Sequence, residues 1–290
     1  MRGLSHRYSG MIFALVTACG LGAITTLAKI FYSDGGNATT LMLVRFFIST
    51  LVFGLLLFIR RDGFNVPRAQ RPSLLLIGLF WSGGMYCYLI AVETLAVSLA
   101  VLIFYTYPLL VLAYSIVTRK LRTSTALTGL FIAAFAGLYL ALSGSELKLD
   151  ISGILFAALA SCGAAFTFIR GARVAPTMSP LLLTFWVNAA GLLLIGPLLL
   201  NGITVPAAAG GTIALALATL FYLVAILSQF EALARLPAAR AAFLLNLEPV
   251  VSILLARLVL GESLSLLQAI GVILVISVII LSLRFKAPSA

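Results

Sequence analysis

At 290 residues the chain is long enough for a sizeable soluble domain, but 62% hydrophobic and 9% charged residues exclude one, since ordinary globular proteins carry about 25% charged residues. A formal net charge of +11 would point to nucleic acid in a soluble chain. Here the cations are spread over six separate segments and lack the aromatic interleaving of a stacking platform, so the composition describes a protein whose solvent is the lipid bilayer and excludes a nucleic-acid partner.

Ten apolar runs of about 20 residues, each long enough for a ~30 Å hydrocarbon core, fall at 8–30, 39–59, 73–95, 98–117, 124–142, 151–169, 180–200, 211–233, 237–260 and 264–283. They have to be helices, because lipid satisfies backbone groups in no other way except a closed barrel of shorter, alternating strands. The first run follows Arg2, His6 and Arg7. Its length exceeds the 7–15 residues of a signal-peptide core, so it is expected to be a retained helix, with His6 a solvated charge in the tail. Inside it lie Gly20 and Gly22, and in the third run Gly83 and Gly84; such glycines serve close helix approach or bending, and either use fits.

The second run carries Arg45, about two turns from its outer end. It anchors the helix at the interface or lines an outer vestibule that attracts a carboxylate. The third run has two stripes, Trp81, Met85 and Tyr88, and Ser82, Tyr86 and Glu93. Their mixed polar and aromatic character suggests that one faces a cavity. The fourth holds Tyr105, Tyr107 and, near mid-span, Pro108. A proline there removes an N–H and frees the carbonyl four residues earlier, here that of Phe104.

The organisation becomes plain at residue 153. The stretch 10–20, GMIFALVTACG, returns as 153–163, GILFAALASCG, and 95–108 is echoed 141 positions later by 236–249, again an apolar helix interrupted by a proline. The chain divides into repeats at 1–142 and 151–286, separated by the polar stretch SGSELKLD at 143–150. Five spans per repeat is an odd number, so the second copy enters from the opposite side. The expected fold is an all-α membrane protein of ten transmembrane helices in two inverted five-helix repeats, the architecture of secondary transporters with a ligand site near the midplane.

In the second copy, the seventh run offers Thr184 and Asn188 with Trp186 between them, Trp186 being near enough to the cytoplasmic end to belong to an interfacial belt. The eighth offers Tyr222, Ser228 and Gln229. The ninth carries Asn246, Glu248 and Pro249, the proline freeing the Leu245 carbonyl. A packing kink is the competing reading for each proline, and their pairing at matched depth favours cavity lining, with Pro108, Pro249, Gly20 and Gly163 as gating or kink positions. Glu248 is the only carboxylate at the centre of a span, where a charge costs at least about 2.5 kcal/mol. It is a substrate-amine contact, a proton site or a structural hydrogen bond across helices. Tyr86, Tyr88, Tyr105, Tyr107 and Tyr222 lie near mid-depth, where a hydroxyl needs a partner.

Charge sets the orientation. With the N-terminus cytoplasmic, Arg2, Arg7, Arg60, Arg61, Arg68, Arg71, Arg119, Lys120, Arg122, Arg170, Arg173, Arg235, Arg284 and Lys286 share its side, and the opposite loops hold Lys148 beside Asp34, Glu146, Asp150 and Glu262. This positive-inside bias places both termini in the cytoplasm. Lys29, Arg240 and Arg257 sit near span ends and are read as snorkelling; Glu93 and Glu231 close their spans and can pair with nearby arginines. Cys19, Cys87 and Cys162 all fall within spans, so no disulfide framework is implied. No phosphate loop, metal-ligand cluster or nucleophile–base pair is present, so neither a cofactor nor an enzyme activity is indicated.

Glu248 and Pro249, the turn Leu260, Gly261 and Glu262, Gly271 and, more faintly, Pro108 give the chain a resemblance to the drug/metabolite transporter superfamily in its two-module EamA branch. Arg119, Lys120 and Arg122 stand where the first copy would repeat the Gly-Glu turn, as opposite orientation requires. The resemblance implies an inner-membrane carrier, most like bacterial exporters of amino acids, including aromatic ones, with a small-molecule substrate. The cavity candidates are Trp81, Ser82, Tyr86, Tyr88, Tyr105, Tyr107, Trp186, Asn188, Tyr222, Gln229, Asn246 and Glu248. Glu248 or freed carbonyls would take an ammonium, Arg45, amides or hydroxyls a carboxylate, and aromatic rings the side chain. A proton-coupled exporter of drugs or cationic metabolites, with Glu248 as counter-charge, and a membrane-embedded enzyme on lipid-linked substrates are the alternatives. Oligomeric state is left open.

Overall fold

A backbone in lipid must satisfy its own polar groups, and the chain does so with helices. The computed structural model describes residues 2–95, 97–118, 125–143, 150–199, 202–261 and 263–284. The expected basic turn of Arg119, Lys120 and Arg122, the repeat boundary at 144–149 with Glu146 and Lys148, and Glu262 and Lys286 lie outside the described residues, as do the side chains of Arg2, Glu93 and Arg284.

The helices are α1 (Arg2–Ser33), α2 (Ala38–Arg60), α3 (Arg71–Thr94), α4 (Val97–Phe104), α5 (Tyr107–Val117), α6 (Thr125–Ala141), α7 (Ile151–Val174), α8 (Pro180–Leu199), α9 (Ala209–Arg235), α10 (Ala238–Leu244), α11 (Leu247–Leu260) and α12 (Leu266–Arg284). Among the described residues, eight helical segments are long and apolar enough to span, and two shorter apolar helices, Thr128–Ala141 and Pro180–Leu193, complete the bundle. The fourth and ninth spans are each two helices, α4 with α5 and α10 with α11. Local chemistry sets several ends. Asn37 caps α2 by accepting the Thr40 N–H at 2.8 Å, and Gly261, at φ +69, supplies the left-handed residue that closes α11.

Packing follows the repeat. Helix α1 lies along α9 and α7 along α3, which are one contact seen in each copy; α2 pairs with α8 and α6 with α12, each with its own counterpart. The register agrees at residue level. A β-carbon on Gly20 would stand 3.0 Å from the Ala225 methyl and 3.2 Å from the Phe221 carbonyl, and one on Gly163 would stand 2.7 Å from the Phe80 carbonyl and 3.2 Å from Cα of Gly84. Ala225 and Phe221 are the residues 141 positions beyond Gly84 and Phe80. Gly10 meets Arg235 and Leu236 at one membrane face, while Gly153 meets Thr94 and Leu95 at the other. The two copies are inverted.

Both ends of the bundle's chain share one face. Gly10 sits against Leu236, and Arg240 Nη2 donates to the Ser282 carbonyl at 3.4 Å. On this N-terminal face Glu231 forms the expected ion pair, with Arg235. On the opposite face the α8–α9 connection folds over the α1–α2 turn, with Asn37 Nδ2 donating to the Gly202 carbonyl at 2.6 Å and Ala207 N–H to the Asp34 carbonyl at 2.8 Å. Cys19, Cys87 and Cys162 are free.

Candidate functional site

Helix α4 stops at Phe104 and α5 restarts at Tyr107; α10 stops at Leu244 and α11 restarts at Leu247. Each break precedes its proline, which occupies the first turn of the new helix, where a missing N–H costs nothing. The Leu245 carbonyl is not left free: it accepts the Glu248 N–H at 3.0 Å in a tightened turn. That corrects the expected freed acceptor. At the other break the Thr106 hydroxyl lies 2.8 Å from that of Ser161 on α7, tying the turn to the neighbouring helix.

Between α4 and α11 lies a cavity of 460 Å³. Its lining includes Tyr88, Ser98 and Val101 from α3 and α4, Tyr105 from the break that follows α4, Glu248, Pro249, Ser252, Ile253 and Arg257 from α11, Thr25 and Lys29 from α1, and Ser143, Ser263 and Gln268 at its mouth. The mouth is on the face opposite the termini. Glu248 stands in the first turn of α11, where the helix N-terminus favours a negative charge. Tyr88, Tyr105 and Tyr107 are within electrostatic range of its carboxyl. The Tyr105 hydroxyl, beside that carboxyl, has no hydrogen bond of ordinary geometry among the described residues.

One side of the cavity is walled by the rings of Tyr88 and Tyr105; behind them, outside the lining, Phe104 packs on Tyr88, Tyr105 and Tyr107 at centroid distances of 5.1, 5.3 and 5.4 Å. Among its described lining residues the cavity therefore offers one acid, two phenol rings, a few hydroxyls, and two cations toward its rim.

The other sequence candidates stand elsewhere. Trp81, Asn188 and Tyr222 form a buried network: Trp81 Nε1 donates to the Tyr222 hydroxyl at 3.2 Å, which donates to Asn188 Oδ1 at 3.0 Å, and Asn188 Nδ2 donates to the Thr184 carbonyl at 2.8 Å. Arg45 lies over the Tyr222 ring at 5.0 Å, outside the cavity lining. Ser82 donates to its own helix at Gly78, Tyr86 is half-buried away from the lining, and Asn246 Nδ2 bonds the Phe243 carbonyl at 2.8 Å. Trp186 donates to the Phe64 carbonyl in the α2–α3 loop at 3.2 Å, at the N-terminal face. Gln229 is buried with both amide atoms unpartnered among the described residues. Helices α1 and α7 run unbroken through Gly20 and Gly163, where packed neighbours leave no room for a side chain.

Lys29 and Arg257, read from sequence as snorkelling residues, belong to the cavity instead. A signal was available: Thr25 and Lys29 are four apart on α1, and Glu248, Ser252 and Ala256 are spaced by four on α11, a stripe of one helix face.

Two inverted five-helix copies around a cavity at broken helices define a membrane carrier. The chain belongs to the EamA-like transporter family, whose model matches twice, over residues 8–143 and 151–284; it is a multi-span transporter of the drug/metabolite superfamily. A solved crystal structure, titled only as that of a protein, is similar over 95% of this chain and 96% of its own, at TM-score 0.80 and 18% identity, a likeness of fold. No curated protein matches.

Proposed function

We propose that the chain is an inner-membrane secondary transporter that exports small metabolites, amino acids including aromatic ones, by alternating access, with both termini cytoplasmic. One observation carries this reading. Helix α5 packs against α10 on the N-terminal face, whereas among the described residues no comparable packing joins their counterparts α11 and α4, between which the cavity opens. A symmetric pair of gates with one closed and one open is what alternating access requires. Exchanging the two arrangements would open the path to the other side.

The cavity chemistry supports a zwitterion with an apolar side chain. Its ammonium would face Glu248, its carboxylate the rim cations Lys29 and Arg257, and its side chain the rings of Tyr88 and Tyr105. The test is counterflow of labelled amino acids and labelled quaternary ammonium ions in proteoliposomes. Exchange of amino acids supports the reading; exchange of the cations alone replaces it with a proton-coupled drug or cationic-metabolite exporter, which Glu248 as the one carboxylate among the described lining residues favours as the second reading.

A further inference from the structure

The buried amide of Gln229 has no explanation in the arrangement just described. It is 1% exposed, and neither Oε1 nor Nε2 finds a partner among the described residues. Burying an amide in apolar surroundings without hydrogen bonds is costly, and a costly group persists where another state of the molecule uses it. The repeat says which state. Gln229 is the residue 141 positions beyond Tyr88, the spacing that also relates Ala225 to Gly84 in the matched helix crossings, and Tyr88 lines the open cavity. By the same spacing Asn246 and Tyr107 are the counterparts of Tyr105 and Glu248, and both are buried on the closed side, where α5 meets α10.

We propose that Gln229, with Asn246, forms a second solute site that opens to the N-terminal face when α5 and α10 part, an amide site for the hydrogen-bonding head group of the carried solute. The inference rests on the transport reading. The two sites differ in chemistry. The open cavity holds a carboxylate and phenols; its counterpart holds amides and a phenol, with no charge of its own among these positions. A solute bound through its ammonium on one side is released to a site that grips it by neutral hydrogen bonds, and an unpartnered amide in the resting state becomes a partnered one.

The test uses the full chain, in a background with the three native cysteines replaced. The pair V101C and I253C, on opposite walls of the cavity, is linked to close it. Labelling of Q229C by an impermeant maleimide applied at the N-terminal face should then rise several-fold, and labelling of Y88C from the opposite face should be lost. Unchanged Q229C labelling after linking, or Q229C labelling from the opposite face, overturns the proposal. Should the pair not link, Gln229→Leu decides: the proposal requires an unchanged or raised melting temperature with slower counterflow, and a clear fall in melting temperature would assign the amide a structural bond and sink it. Failure of amino acids to exchange while the labelling switch holds removes the substrate assignment and leaves the second site standing.

Discussion

Trp81 Nε1 donates a hydrogen bond to the Tyr222 hydroxyl at 3.2 Å, and the two residues are 141 positions apart, the spacing that relates the third span to the eighth. A residue that touches its own counterpart marks the axis about which the copies are exchanged. The helices of this axis, α3 and α9, each also pack on a first helix of the opposite copy, so the bond sits where any exchange of the two gates has to turn.

Removal of the Tyr222 hydroxyl should therefore be felt as stability before it is felt as binding. Tyr222→Phe keeps the ring under Arg45 and against Phe46 but strands the Trp81 N–H and Asn188 Oδ1. Interhelical bonds of this kind in membranes are worth about 0.6–2 kcal/mol. The melting temperature in detergent should fall for Tyr222→Phe and for Trp81→Phe, and the double mutant should lose less than the sum. Strict additivity would mean that the bond contributes nothing.

Much of this was legible from the chain. The echo of 10–20 at 153–163 is readable because a close crossing admits no side chain at Gly20 or Gly163, and Glu248 is readable because a lone acid at mid-span is expensive. The side on which the cavity opens was not readable, since the inverted copies make α5 on α10 and α11 on α4 equivalent pairings, and no sequence pattern tells which of the two is packed. Nor was the division of labour among the aromatics: Trp81 and Tyr88 share a helical stripe, yet one sits on the axis and the other on the cavity wall, because the stripe crosses from one neighbour to the next along α3.

Glu248→Gln is isosteric and keeps the first-turn position on α11 while removing the charge. A charge-assisted hydrogen bond contributes about 1.5–3 kcal/mol, so the half-saturating concentration of an amine-bearing solute should rise roughly 10- to 150-fold in counterflow, with the melting temperature held. Unchanged exchange at every pH would remove Glu248 from both binding and coupling.

The glycine crossings predict an ordering. At Gly163 an added methyl meets the Phe80 carbonyl at 2.7 Å and the backbone of Gly84, while at Gly20 its nearest neighbour is the Ala225 methyl at 3.0 Å. Backbone gives way less readily than a side chain. Gly163→Ala should lower stability by about 1–3 kcal/mol, the usual range for overpacking, and Gly20→Ala by less, read from thermal unfolding of the two variants side by side. The reverse order would mean that the two crossings are not packed as described.

Asp150 gives a pH-dependent case outside the spans. Its carboxylate caps α7 by accepting the Ser152 hydroxyl at 2.5 Å and the backbone N–H groups of Ser152 and Gly153 at 2.7 and 3.2 Å. The Ser152 hydroxyl leads in holding this acid below its ordinary range, with the two N–H groups adding to it. A carboxyl with a lowered folded value contributes stability above its unfolded pKa of about 3.9 and loses it as pH falls through the folded value. The advantage of the wild type over Asp150→Ala should therefore be full at neutral pH and shrink in acid. Asp150→Asn, which keeps a capping oxygen and does not titrate, should show a flatter profile than the wild type in the same window. Parallel acid profiles for wild type and Asp150→Asn would show that the cap carries no titratable share of the stability at this end of α7.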